Sequence, residues 1–108
     1  MNVADRLKAS DTAKLMEDAG IYMSTVAKLV VDDLVEREDE DGKPFLGSFA
    51  TDGLMRGLGI ISDALAERSD WLRVVVQREQ MQEEENKAAL ARRSVKTTLD
   101  STNVRNAS

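Results

Sequence analysis

Apolar residues recur at three- and four-residue steps through two long stretches of this chain, and its only proline, Pro44, stands between them. That spacing returns side chains to one face of an α-helix, so it decides the fold class before any other feature is considered. The first stretch carries Leu15, Met16, Ala19, Tyr22, Met23, Val26, Ala27, Leu29, Val30 and Leu34, with Lys14, Asp18, Thr25, Lys28 and Asp32 opposite. The second carries Leu54, Leu58, Ile61, Leu65, Leu72 and Val75 in alternating four-three steps broken only by Arg68. An aromatic content of 4% suits helices rather than strands. The expected fold is therefore all-α, a helical hairpin of two long amphipathic helices.

Capping and turn residues set the expected boundaries. Ser10 or Asp11 would cap helix A over about residues 11–37, and Ser48, Thr51 or Asp52 would cap helix B over about 51–92. Between them, residues 38–50 hold Asp41-Gly42 just ahead of Pro44, a combination that reverses the chain. Phe45, Leu46 and Phe49 in this connection are expected to fold back and close one end of the core. Helix B is expected to continue through Ser69 and Asp70; a cap there would instead begin a third helix. Residues 1–9 read as a flexible lead and 94–108, rich in Ser, Thr and Asn, as a disordered tail, which leaves 10–93 as the helical domain. Ala50, Gly53 and Gly57 are small residues at helical spacing. They are expected to admit a close neighbour, in return for a cost of about 1 kcal/mol per mid-helix glycine.

Two helices touch along one narrow strip, so a lone hairpin cannot enclose two broad apolar stripes. A homodimeric four-helix bundle resolves the surplus, with Leu54, Leu58, Ile61, Leu65, Leu72 and Val75 as the expected oligomer interface.

Composition narrows the chemistry. The chain has neither cysteine nor histidine, which removes thiolate nucleophiles, disulfides, the commonest general base and most transition-metal sites. No cofactor is expected. A net charge of −5 disfavours direct binding to nucleic acid or to anionic membrane surfaces and favours a partner with a basic or apolar surface. No apolar run approaches the length of a signal peptide or a membrane span, and a cytoplasmic location is expected.

Within that frame Trp71 is a candidate anchor for a partner, since tryptophan is enriched in binding hot spots. The acidic run Glu38, Asp39, Glu40 and Asp41 is a candidate surface for basic groups. Together they point to a protein-binding module acting as an adaptor, regulator or inhibitor rather than to an enzyme. An alternative is an acidic mimic of nucleic acid that occupies the basic groove of a nucleic-acid-binding protein. The pattern Asp33-x-x-Glu36 followed by Glu67-x-x-Asp70 also resembles the paired acidic motifs of all-α nucleoside-triphosphate pyrophosphohydrolases of the MazG type. It departs from that family in opening with Asp where the family has Glu and in its longer gap. The resemblance implies magnesium held by Asp33, Glu36, Glu67 and Asp70, polarising substrate phosphates and generating the attacking water.

Overall fold

The computed structural model describes the backbone of residues 1–107 and the side chains of residues 1–100. Its elements are α1, Val3–Glu38, and α2, Ser48–Ala107, with no strand among the described residues. The all-α expectation holds, and α2 runs unbroken through Ser69 and Asp70. Two compact units divide the chain: Asn2–Leu72, and Met1 with the residues from Arg73 onward.

In the Asn2–Leu72 unit the helices run antiparallel, as contacts made by α1 at three levels along its length require. The Arg68 guanidinium donates to Thr12 Oγ1 at 3.1 Å, Tyr22 Oη donates to the Leu54 carbonyl at 3.0 Å, and the Asp33 carboxylate accepts from the Phe45 and Leu46 amides at 2.9 Å each. Burial on α1 falls on Thr12, Ala19, Val26 and Asp33, with half-buried Lys8, Leu15, Tyr22, Leu29 and Glu36 between them. Both sets repeat every seven residues, the pattern of a coiled-coil seam. Facing it, Leu54, Leu58, Ile61, Leu65 and Arg68 are half-buried on α2. Arg68, which breaks the apolar pattern in sequence, fills its seam position by reaching Thr12. Polar pairs within a seam fix the register of the helices.

The seam is narrower than the apolar stripes that feed it. Met16, Met23 and Leu34 lie outside it at 59%, 44% and 50% exposure, and Ala19, Val26 and Val75 are the only apolar residues that reach full burial among those described.

Three expectations are corrected. First, the lead is helical: Asn2 caps α1 by accepting the Asp5 amide on its side-chain oxygen at 2.7 Å, so the helix starts at Val3 while Ser10 and Asp11 lie exposed within it. Second, α2 extends through the stretch read as a disordered tail as far as Ala107; Ser108 lies outside the described residues. Thr97 and Thr98 are accommodated by donating their hydroxyls to the carbonyls of Arg93 and Ser94, at 2.9 and 3.0 Å. Third, the connection does not close the core with its phenylalanines. Phe45 is 50% and Phe49 95% exposed, and Leu46 alone of the three is half-buried.

Candidate protein-binding surface

The connection between the helices is built on one buried carboxylate. Asp33 Oδ1 accepts both the Phe45 and Leu46 amides, and Oδ2 accepts Arg37 Nε at 2.6 Å. Arg37 in turn donates from Nη2 to the Leu46 carbonyl at 2.5 Å. The Leu46 amide above all, with help from Arg37 and the Phe45 amide, holds the Asp33 carboxyl below the usual carboxylate range, against the opposing effect of burial. One turn later Glu36 Oε2 accepts the Lys43 amide at 2.8 Å. Both acids therefore pin the returning chain to the end of α1.

Outside this clamp the acidic run stands in solvent. Glu38 ends α1, Asp39 has left the helix, and Glu38, Asp39, Glu40 and Asp41 are all exposed. Asp39 organises the turn: its side chain accepts the Asp41 amide at 3.1 Å and its carbonyl the Gly42 amide at 3.0 Å. A Cβ on Gly42 would fall 1.9 Å from the Glu36 carbonyl oxygen, so the turn needs glycine there. Beside these acids lie Val31, Leu34, Val35 and Phe45, each at least half exposed, and Phe49 is almost bare.

The expectation that Phe49 faces inward overlooks a signal in its position. Phe49 stands five residues before Leu54, which at 3.6 residues per turn is about 140° away from the seam. Trp71, the expected anchor, is half-buried, with the Lys8 ammonium 5.0 Å from its ring centroid. That distance is within cation-π range, so much of Trp71 is already engaged by its own chain.

The expected oligomer interface is also partly used within the chain. Leu54, Leu58, Ile61 and Leu65 are half-buried, Val75 is fully buried, and Leu72 is 37% exposed. Of the small residues, Gly57 meets α1, lying against Tyr22, whereas Gly53 has open space around it and Ala50 is exposed.

The four acids of the pyrophosphohydrolase-like pattern are not brought together. Asp33 and Glu36 bind the connection, whereas Glu67 and Asp70 flank Arg68 at the level of Thr12. Thr12 and Asp33 are separated along α1 by about 30 Å at 1.5 Å per residue. Among the described residues no group of three or more Asp or Glu could hold a metal ion. Nor is any described helix long and apolar enough to cross a membrane.

Comparison with protein-family models, with curated proteins and with solved structures finds no match to this chain.

Proposed function

We propose that this protein is a small acidic protein-binding module, an adaptor, regulator or inhibitor, whose hairpins pair into a homodimeric four-helix bundle. The bare apolar side chains of the hairpin carry this reading: Met16, Met23 and Leu34 on α1 stand at 59%, 44% and 50% exposure, and Ile60 on α2 at 70%. On α1 one flank of the seam carries Met16, Gly20, Met23, Ala27 and Leu34, all exposed. Asp11, Asp18 and Asp32 occupy the other flank and are exposed. A second hairpin laid on the methionine flank buries it and leaves the acidic flank in water.

The connection end then serves the partner. Phe49 supplies an apolar anchor and Glu38, Asp39, Glu40 and Asp41 supply negative charge, a combination that fits a protein surface with an apolar pocket rimmed by lysine or arginine. Affinity capture with the full chain and with Phe49→Ser tests this. A protein retained by the wild type and lost with Phe49→Ser is expected, and an identical set of captured proteins would contradict the proposed anchor.

A further inference from the structure

From Gln77 to Asp100 every residue of α2 except Ala89 is exposed. Met81, Val95 and Leu99 stand at 62%, 60% and 59% exposure. Helices in water draw most of their stability from packing an amphipathic face, so a bare stretch of this length calls for a covering helix.

One face of the stretch has the right pattern. Met81, Glu85, Ala88, Arg92, Val95 and Leu99 follow one another in four-three alternation, with alanine at the middle and opposite charges on either side of it. Neither Glu85 nor Arg92 forms an ion pair among the described residues.

We infer that α2 pairs here with α2 of a second copy, antiparallel, about a two-fold axis beside Ala88. In that arrangement Met81 of each copy lies level with Val95 of the other, and Glu85 lies about 1.5 Å from the level of Arg92, close enough for two symmetric ion pairs. A parallel, in-register pair would stack Glu85 on Glu85 and Arg92 on Arg92, so charge selects the antiparallel copy. The acidic block Glu83 to Glu85 and the basic residues Arg92, Arg93 and Lys96 extend the same complementarity. This pairing uses none of the residues of the hairpin flank and stands or falls separately from the bundle.

The chain has no cysteine of its own, which makes the test direct. Full-length Ala88→Cys should form a disulfide-linked dimer on mild oxidation. Met81→Cys alone should not, since its two copies lie about 20 Å apart along an antiparallel pair. Mixing Met81→Cys with Val95→Cys should restore the link. In solution, Glu85→Arg or Arg92→Glu should weaken dimerisation about tenfold or more, and the double swap should return it to within about threefold of wild type. Linking by Met81→Cys alone would mean parallel pairing and would overturn the inference. So would chains that dimerise by light scattering yet leave Cys at position 88 unlinked, a result that keeps the hairpin bundle.

Discussion

Tyr22 and Gly57 fit each other at the centre of the hairpin: the Tyr22 hydroxyl reaches the Leu54 carbonyl at 3.0 Å through space that a Cβ on residue 57 would occupy, 2.2 Å from Tyr22 Oη. The glycine is therefore part of a cross-helix hydrogen bond and not merely a weak helix former.

Two effects oppose each other in Gly57→Ala. Alanine gains about 1 kcal/mol of helix propensity, while displacing the hydroxyl forfeits a hydrogen bond of about 1 kcal/mol and strains the contact. Denaturant unfolding of Gly57→Ala, Tyr22→Phe and the double variant should give a coupling of about 1 kcal/mol, with the alanine better tolerated once the hydroxyl is gone. Strict additivity would show that the two residues do not meet as described.

Gly20, Gly53 and Gly59 differ from Gly57 in having nothing within 4 Å of the place an added Cβ would take. Gly53→Ala and Gly59→Ala should each raise stability by about 0.5–1 kcal/mol, whereas Gly20→Ala, on the flank proposed to meet a second hairpin, should not. Thermal unfolding of the three single variants checks this, and a loss at any of them would reveal a neighbour that the single chain does not contain.

Asp33 makes stability depend on acid. Its folded-state pKa is lowered, chiefly by the Leu46 amide, so its contribution is complete above the unfolded value of about 3.9 and is lost as pH falls through the folded value. The thermal midpoint should hold steady from neutral pH to about 5 and fall below about 4. Asp33→Asn should start lower at neutral pH and lose part of that acid-dependent drop. A variant with the wild-type profile would remove Asp33 from this role.

The exposed end should behave oppositely. Phe49 is 95% exposed, so Phe49→Ser should change unfolding free energy by no more than about 0.5 kcal/mol. Replacing Glu38, Asp39, Glu40 and Asp41 with serine should weaken binding to a captured basic partner and flatten its salt dependence. An unchanged salt slope would exclude the acidic run from the interface.

Much of the architecture is legible in the sequence because periodicity is a local property. The steps through Leu15, Ala19, Tyr22 and Val26 and through Leu54, Leu58, Ile61 and Leu65 announce two helices and the faces that meet. What is not legible depends on competition between local and tertiary effects. Ser10 and Asp11 have good capping chemistry, but Asn2 captures the Asp5 amide one helical segment earlier. Asp33 and Glu36 have the chemistry of metal ligands, yet the returning backbone of Lys43, Phe45 and Leu46 claims their oxygens. The partner of an exposed face such as that of Phe49 leaves no periodic signal at all, because complementarity is written in another surface.

Everything in the proposed assembly follows from a chain that cannot cover its own apolar faces. Sedimentation equilibrium of the full-length protein at micromolar concentration addresses this directly. A species of twice the 11.9 kDa chain mass, or a higher multiple, is expected. A single species at 11.9 kDa across the accessible concentration range would contradict it.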